Sequence, residues 1–564
     1  MRHREFFPSP YLRNWLGSVS VESWAFAGVL LFLFLVNFIL WLLAGRIDLP
    51  GFLTVRSGGI VFYNMAKTDQ LGRNVIIGAV LLLTFLIGRF AGAPSWPVST
   101  GFRPLGALSD RAVGWLFAAL VFLWAVYVSY PPAISSVNFR IIWVDWENYD
   151  AKYRYVGQIL RDVFYDYPQA LQGLAFLTAF WSLKEIGQRI GYNVWIASIL
   201  ALAFCLSSVF LTFASIAEDW MLVTAAALAV FWAYSERKWI WVIAAIVVAA
   251  GLRLPEALIA LVALLLTEAA RAAVSIVRKP GRWKGLLALT SVRIVAVTAV
   301  SGLAAYFAYW HFARFGEGDI RYVTEPIKQL DMEGFTLTRL SGVYIGHALW
   351  TLPAIMLASC AALVLVGWRH VATPAGRTAI ASALAAGGCI AFYEIFIERQ
   401  FYYNFRYLAF SFTLAAPATL YMLSRLHAGW LFTAVAASTL LFSLGGSRSN
   451  VWSLSARDLS SGELALHELY SCRNVLSPWL ASSYVLSYRR VGHAIQYVRG
   501  LHWGAVGFEG LHELPPEDGT FKRYESVLVN DRELREDLIR RGDLDEVTTC
   551  RGWSVFVPRE VRRQ

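Results

Sequence analysis

The chain has few charged residues for its length. Only 16% of its 564 residues are Asp, Glu, Lys or Arg, whereas soluble domains carry about 25% charged residues. Hydrophobic residues make up 57%, and the mean hydropathy is +0.50. A globular core could not hide that much apolar surface from water. The composition therefore excludes an ordinary soluble protein and indicates a protein that lies in a membrane.

Cysteine is also scarce, and the common metal-binding spacings are missing. The chain has five cysteines, with neither a CxxC pair nor an HExxH motif, so we predict no dedicated metal centre. Cys205, Cys360 and Cys389 lie inside apolar segments, where packing is the simplest role. Cys472 and Cys550 lie in a polar tail, where an oxidising compartment would let them pair. The sequence does not decide between a disulfide and two separate thiols.

The basic residues do not form one face with interleaved aromatic residues, so the net charge of +11 indicates no nucleic-acid partner. They gather instead in short loops between apolar runs, a distribution that favours the cytoplasmic side of a membrane. The densest such loop is RAAVSIVRKPGRWK, residues 271–284. It predicts a cytoplasmic N-terminus and places the loops SERK (235–238) and WRHVATPAGR (368–377) on the same side.

Thirteen apolar runs have roughly the length of a membrane span, which requires about 17 to 25 residues. The first follows the basic start MRHREFFPSPYLRN but has no small-residue cleavage site, so we interpret it as an anchor. The predicted spans are approximately Val21–Gly45, Val75–Ala91, Val113–Pro131, Ala170–Leu183, Tyr192–Ala214, Trp220–Tyr234, Trp239–Leu252, Pro255–Thr267, Leu286–His311, Val343–Gly367, Thr378–Tyr393, Leu408–Leu423 and Trp430–Leu444.

The last part of the chain is polar. A Pro-Pro-Glu-Asp-Gly turn, a charged helical stretch near Asp531–Gly542 and two β-like runs, Glu525–Val529 and Trp553–Val557, indicate a small α+β unit. The predicted fold is thus a mainly α, polytopic membrane protein of about thirteen transmembrane helices, residues 1–446. Residues 447–564 form an extracytoplasmic domain in this prediction, because thirteen crossings leave the tail outside.

The long loop between the third and fourth spans is the first candidate functional segment. It contains Asp145, Glu147 and Asp150 in the aromatic string IIWVDWENYD. Apolar residues then recur at three- and four-residue steps, with basic residues elsewhere on the wheel, a pattern typical of a helix lying in the membrane interface. Asp145 would lie just before that helix. The alternative is a solvated loop, which we favour for the later acids Asp162 and Asp166.

Other polar residues fall at the predicted outer ends of the spans. They are Glu218 and Asp219 in the turn SIAEDWML, Arg253 and Glu256 around Pro255, and Arg399, Tyr403 and Arg406 in ERQFYYNFRYL. Arginine suits bidentate phosphate binding. The alternatives are acids that complement a helix dipole and tyrosines of the interfacial aromatic belt. Arg406 fits that belt poorly, because it begins an otherwise apolar run.

The arrangement resembles the GT-C glycosyltransferases, multi-pass enzymes that take sugars from polyprenyl-phosphate donors. The likeness consists of the acidic outer loop WVDWENYDAKY, the interfacial helix after it, Tyr167-Pro168 opening the next span, the acidic turn AEDW, the Arg-Leu-Pro turn, the helix start NFRYLAF and the outer tail. It extends over most of the chain from about Val113. In the family the catalytic acid usually occupies the first outer loop. Two extra N-terminal helices would explain its place in the second loop here, and they leave Asp69 as a competing candidate.

The resemblance implies that an acceptor hydroxyl attacks the anomeric carbon while Asp145 accepts its proton, which inverts that carbon. Arg253 and Arg406 would bind the leaving polyprenyl phosphate, and Arg399 is a further candidate for this role. Glu218 or Asp219 would orient the acceptor. The other residues of the expected substrate site are Glu147, Asp150, Glu256 and Tyr403.

A divalent ion is an alternative role for the acidic residues, because Asp145 and Glu147 form an acid-x-acid pair that could act jointly with Glu218 or Asp219. A lipid-phosphate donor does not require one. The implied partners are a polyprenyl-phosphate sugar, membrane lipids and a glycan, lipid or protein acceptor. The expected location is the bacterial plasma membrane. A transporter and a polysaccharide-assembly component, either polymerase or flippase, remain alternatives.

Overall fold

The computed structural model describes the chain in ranges that are separated by gaps: residues 20–44, 54–57, 60–64, 68–90, 109–128, 168–207, 210, 220–278, 297, 300, 302, 354–396, 410–426, 428–442, 472, 475, 483–486, 526–529 and 532–559. Most of these residues are helical. The helices are Val21–Ala44 (α1), Thr68–Phe90 (α2), Asp110–Val128 (α3), Pro168–Ile190 (α4), Val194–Cys205 (α5), Trp220–Ser235 (α6), Trp239–Leu252 (α7), Leu254–Arg278 (α8), Ala354–Val366 (α9), Pro374–Phe396 (α10), Ala416–Arg425 (α11), Gly429–Phe442 (α12) and Arg532–Arg541 (α13), and a 3₁₀ helix, Gly367–Ala372, joins α9 to α10.

Within the described ranges, four helical stretches are long and apolar enough to cross a membrane: Val21–Ile39, Leu254–Val277, Ala354–Ala372 and Pro374–Phe392. The predicted membrane character of the chain is therefore supported. Helices α1 to α12 each overlap one of the predicted runs. The ninth run, Leu286–His311, lies almost wholly outside the described residues, so the total of thirteen spans stays a prediction.

Helix α8 extends well past the end predicted at Thr267. The sequence pattern stops there because the next residues include charged Glu268 and Arg271. In the structure these two side chains pair with each other one helical turn apart, Arg271 Nε donating to Glu268 Oε2 at 2.7 Å. Such i,i+3 pairs stabilise a helix, so the charges continue α8 instead of ending it.

The connection between α4 and α5 is a tight turn built around Gly191. This residue has φ of 117°, in the left-handed region that glycine adopts without a steric penalty. Its amide donates to the carbonyl of Gly187, which closes the end of α4. Asn193 then caps α5, because its side chain accepts a hydrogen bond from the amide of Ile196 at 2.9 Å. The two helices consequently pack against each other as a hairpin.

The predicted span Leu408–Leu423 is interrupted. In a regular helix the amide of Ala418 would donate to the carbonyl of Leu414. Here the Ser382 hydroxyl of α10 lies between them, donating to the Leu414 carbonyl and accepting from the Ala418 amide at 3.2 Å. Pro417 has no N–H, and its ring crowds the carbonyl four residues earlier. The turn that precedes α11 follows from that proline, and Ser382 satisfies the two backbone groups that the turn separates.

The N-terminal helix packs among helices from the other end of the chain. Helix α1 contacts α2 and α9, and α2 contacts α12. Phe26, Phe85 and Phe432 from α1, α2 and α12 meet with ring centroids 5.5 to 6.0 Å apart. Aromatic pairs at this spacing add to the stability that burial provides. Helices α1 and α2 are therefore part of the helical core.

The polar tail forms a small mixed sheet with one helix. Its strands are Ser483–Leu486, Ser526–Val529, Leu544–Cys550 and Trp553–Pro558, and a separate hairpin pairs Thr54–Ser57 with Ile60–Asn64. The runs predicted at 525–529 and 553–557 and the predicted helix are present. The strand Leu544–Cys550 was not predicted, because LDEVTTC is too polar to look like a strand. Its polarity fits its partly exposed position at the edge of the sheet.

Local chemistry explains the hairpin that ends this sheet. Arg551 and Gly552 both have positive φ, and Cys550 pairs with Trp553 across them, as a two-residue hairpin turn requires.

Ion pairing also acts on the edge strand. Partial burial raises the pKa of Glu546, but hydrogen bonds from Arg535 and Ser554 outweigh that effect and hold the pKa below its usual value.

Cys472 and Cys550 form a disulfide, with their Cα atoms 5.9 Å apart. The structure thus selects one of the two states that the sequence left open. The bond ties Cys550, at the end of the edge strand, to a residue 78 positions earlier in the chain.

The approach of α2 to the start of α12 generates a testable prediction. A Cβ at Gly88 would lie 1.8 Å from the carbonyl oxygen of Ala428, whereas a Cβ at Gly28 would meet nothing within 4 Å. We expect Gly88→Ala to lower the free energy of unfolding by about 1 to 3 kcal/mol, because backbone must move. Gly28→Ala should be neutral or stabilising, since alanine favours a helix. Unfolding in mixed micelles measures both, and equal stability of the two variants would contradict the close approach.

Candidate functional site

Most of the sequence-predicted site lies outside the described residues. This applies to Asp145, Glu147, Asp150, Glu218, Asp219, Arg399, Tyr403 and Arg406. The competing candidate Asp69 lies at the second residue of α2. Of the expected catalytic and substrate-binding residues, the structure describes Arg253 and Glu256. The convergence of the whole set therefore stays a prediction, as does the divalent ion between the first and second acidic segments.

Arg253 and Glu256 form a buried ion pair at the turn between α7 and α8. Arg253 Nε donates to Glu256 Oε1 at 2.6 Å, and the side chains are only 10% and 2% exposed. Arg253 adopts an extended backbone, and its amide closes α7 by donating to the Ala249 carbonyl. Pro255 lies in the first turn of α8, where its missing N–H has no helical partner to lose. The Arg-Leu-Pro-Glu sequence thus fixes a guanidinium beside a carboxylate at a helix end.

This turn lies next to a close helix crossing. A Cβ at Gly388 of α10 would lie 2.9 Å from Cγ2 of Ile259, a residue three positions after Glu256 on α8. Helices α8 and α10 therefore approach closely about one turn from the ion pair. The pair is held by rigid elements on both sides, and this suits a group that must keep its orientation.

A second buried cluster lies further along α8, and the sequence analysis did not single it out. Glu268 Oε1 accepts hydrogen bonds from the Tyr234 hydroxyl at 2.7 Å and from Arg377 Nη1 at 3.1 Å, and Oε2 accepts from Arg271 Nε at 2.7 Å. These side chains come from α6, α8 and α10. The E-x-x-R spacing of Glu268 and Arg271 was a visible signal, but the partners from other helices were not.

A third cluster joins the first helix to the 3₁₀ helix. Glu22, at the start of α1, binds both Arg369 and His370, with His370 Nε2 2.7 Å from Glu22 Oε1. The His370 ring meets Tyr421 edge-on at 5.6 Å, and Arg425 lies over the same tyrosine ring at 5.1 Å. Three segments that are distant in sequence, α1, the 3₁₀ helix and α11, therefore meet near one carboxylate.

These contacts bring the basic loops to one end of the helices. Glu22 links the start of α1 to residues 367–372, Arg377 links the start of α10 to Glu268, and Arg189 at the end of α4 binds Glu236 after α6. We call this the basic end. Arg253 and Glu256 lie toward the other end of α8, because the twelve residues from Glu256 to Glu268 span about 18 Å at 1.5 Å per residue.

A cleft of about 410 Å³ lies at the basic end. Helices α3 and α4 supply charged and aromatic groups on its walls: Asp110, Arg111, Trp115, Trp181, Lys184 and Glu185. Lys184 is only 5% exposed, with Nζ 2.7 Å from Glu185 Oε1 and 4.3 Å from the centre of the Trp181 ring. The Trp181 ring packs against Trp115 at 5.2 Å, while Trp115 stays 63% exposed.

Among the described residues, no group of three or more His, Cys, Asp or Glu side chains is placed to hold a metal ion. No protein-family model, curated protein or solved structure matches the chain.

The Glu268 cluster generates the second prediction. Glu268→Gln removes a buried negative charge and leaves the Arg377 guanidinium without its counter-charge, and breaking a buried pair in this way costs about 3 to 5 kcal/mol. We expect a loss of that size in the free energy of unfolding in mixed micelles. Glu536→Gln is the matched control. It breaks the exposed Arg532–Glu536 pair, and such pairs are worth about 0 to 1 kcal/mol. A Glu268 variant as stable as this control would show that the cluster does not hold the helices together.

Proposed function

We propose that the chain is a membrane glycosyltransferase of the GT-C type, which moves a sugar from a polyprenyl-phosphate donor to an acceptor hydroxyl. The observation that carries the proposal is the buried Arg253–Glu256 pair in its short turn away from the basic end. A guanidinium buried among membrane helices is costly unless it has a partner or a ligand. Here a neighbouring carboxylate fixes its plane, which prepares an arginine to recognise a phosphate.

In this proposal the basic end faces the cytoplasm and the Arg253 turn faces the opposite side. Basic loops mark the cytoplasmic side, and the contacts of Glu22, Glu268 and Glu236 support a shared end for those loops. About thirteen spans would then leave the disulfide-bonded tail outside. Disulfides persist in oxidising compartments such as the bacterial periplasm. The proposed location is therefore a bacterial plasma membrane, with residues 447–564 on its outer side.

The proposed chemistry is an in-line displacement at the anomeric carbon. The acceptor oxygen forms a bond to that carbon, Asp145 takes the hydroxyl proton, and the bond to the phosphate oxygen breaks with its electron pair leaving on the polyprenyl phosphate. Arg253, Arg399 and Arg406 would stabilise the charge that develops on the leaving group. The acids Glu147, Asp150, Glu218 and Asp219 would position the acceptor, Glu256 would hold Arg253, and Tyr403 would offer a face to the sugar or the lipid.

A transporter is the second candidate, because the turn before α11 resembles the broken helices that build transporter sites. Ser382 hydrogen-bonds to both separated backbone groups at that turn, and Leu414 and Ala418 are fully buried, so protein packing closes the break to a substrate. We therefore favour the transferase.

The test is Asp145→Asn, which keeps the size of the side chain and removes the base. Purified chain is incubated with short-chain polyprenyl-phosphate hexoses and pentoses and with lipid and glycan acceptors, and released polyprenyl phosphate is measured by mass spectrometry. A general base contributes about 10²- to 10⁴-fold, so release should fall at least about 100-fold. The control Asp166→Asn changes an acid of the same loop that we interpret as solvated, and it should keep full activity.

Two outcomes would contradict the proposal. Undiminished release by the Asp145→Asn variant would remove Asp145 from the role of base. Absence of release by the unaltered chain with every donor, together with substrate uptake by vesicles that contain it, would favour the transporter.

A further inference from the structure

The cleft at the basic end has no part in the proposed transfer reaction, and its composition is unusual for a surface that faces lipid. It combines two bases, Arg111 and Lys184, with two acids, Asp110 and Glu185, and with two packed tryptophans. The formal charge of these walls is balanced. Its volume of about 410 Å³ lies within the range of small-molecule sites, which is about 300 to 1,000 Å³.

The charged groups of the cleft are held in fixed positions. Lys184 is almost fully buried between Glu185 and the Trp181 ring, and α3 and α4 pack against each other along their length. A Cβ at Gly114 would lie 3.3 Å from Lys184 Cε, so the glycine allows α3 to approach this lysine. A buried amine with a carboxylate and an aromatic ring around it is a built arrangement, unlike a solvated surface lysine.

The position of the tryptophans indicates where the ligand comes from. Tryptophan is enriched where the hydrocarbon of a membrane meets its headgroups. Trp115 is 63% exposed in the second turn of α3, while its partner Trp181 lines the cleft. The two rings therefore offer an apolar wall that continues from the surface of the helices into a polar cleft. A membrane lipid matches this change from apolar to polar surroundings, because its apolar acyl chains are joined directly to a polar headgroup.

We propose that this cleft binds the headgroup of a zwitterionic aminophospholipid. The headgroup phosphate would bind Arg111, whose guanidinium can donate two parallel hydrogen bonds. The primary ammonium would bind Glu185 and Asp110 and lie against an indole ring, which attracts cations. A headgroup with only negative charge would bring no cation to Asp110 or to the second oxygen of Glu185, whose Oε1 Lys184 binds, so the balanced walls disfavour an anionic lipid.

The number of N–H donors on the amine separates this proposal from a general preference for zwitterionic lipids. An ethanolamine ammonium has three N–H donors for the two carboxylates. A choline headgroup keeps the positive charge but has none. Binding should therefore weaken as methyl groups are added to the nitrogen, although the net charge of the lipid does not change.

The experiment is competitive lipid binding to the full chain in detergent, measured by native mass spectrometry. The lipids share the same acyl chains and carry ethanolamine, N,N-dimethylethanolamine, choline or glycerol headgroups. We expect the ethanolamine lipid to be retained about tenfold over the choline lipid, because the choline headgroup cannot make the charge-assisted hydrogen bonds to the carboxylates. The dimethyl lipid should fall between them, and the glycerol lipid should bind least.

Variants assign this preference to the cleft. Glu185→Gln and Asp110→Asn should each reduce the ratio of ethanolamine to choline lipid. Asp110 lies at the exposed first turn of α3, so its variant tests the site even if Glu185→Gln destabilises Lys184. Trp115→Ala should lower retention of all four lipids. The control Trp241→Ala removes a tryptophan that is 60% exposed at the start of α7, away from the cleft, and it should change nothing.

Three results would overturn the proposal. Equal retention of ethanolamine and choline lipids by the unaltered chain would show that the N–H donors of the amine are not recognised. An unchanged preference for ethanolamine over choline lipid in both acidic variants would show that the headgroup binds elsewhere on the chain. Displacement of the bound lipid by an equal concentration of soluble phosphoethanolamine would show that the cleft serves a soluble phosphoamine instead of a membrane lipid.

Discussion

The ion pairs of the buried carboxylates Glu22 and Glu268 are the contacts on which the arrangement of the helices most depends. An uncompensated charge in the interior of a membrane protein is costly, so each buried carboxylate must have cationic partners from whichever helix can reach it. Glu268 joins α6, α8 and α10 in this way, and Glu22 joins α1 to the segment between α9 and α10. Hydrophobic burial brings apolar helices together, but these specific pairs fix which ends lie side by side.

This constraint gives the two ends of the helices different charged groups. The basic end is a network of structural pairs, and it also contains the charge-balanced cleft between α3 and α4. The Arg253–Glu256 pair is the described charged pair toward the other end of α8, where a rigid turn holds it. In the proposed transferase, catalysis and the leaving phosphate belong to that second end, while the basic end anchors the bundle in the bilayer and binds a membrane lipid.

Much of the fold follows from the sequence, because apolar runs of membrane length are easily recognised. The bounds of α7 agree with prediction, and α13 and the strand at 553–558 were expected from charge pattern and β-branched residues. Two features depend on contacts that no local pattern contains. They are the insertion of Ser382 beside Leu414 and the polar strand that ends at Cys550. The continuation of α8 past Thr267 was accessible from the spacing of Glu268 and Arg271. The pairing of Arg253 with Glu256 was accessible from their spacing, whereas the partners of Glu22 lie more than three hundred residues away.

The proposed topology places the basic end and the acidic loop at Asp145 on opposite sides of the membrane. Single cysteines can test it in intact cells, introduced as Lys238→Cys or Ser136→Cys in a chain whose free cysteines, Cys205, Cys360 and Cys389, are replaced by alanine. A membrane-impermeant maleimide should label the position 136 variant directly and the position 238 variant only after the membrane is opened. Labelling of both positions in intact cells, or of position 238 alone, would contradict the account.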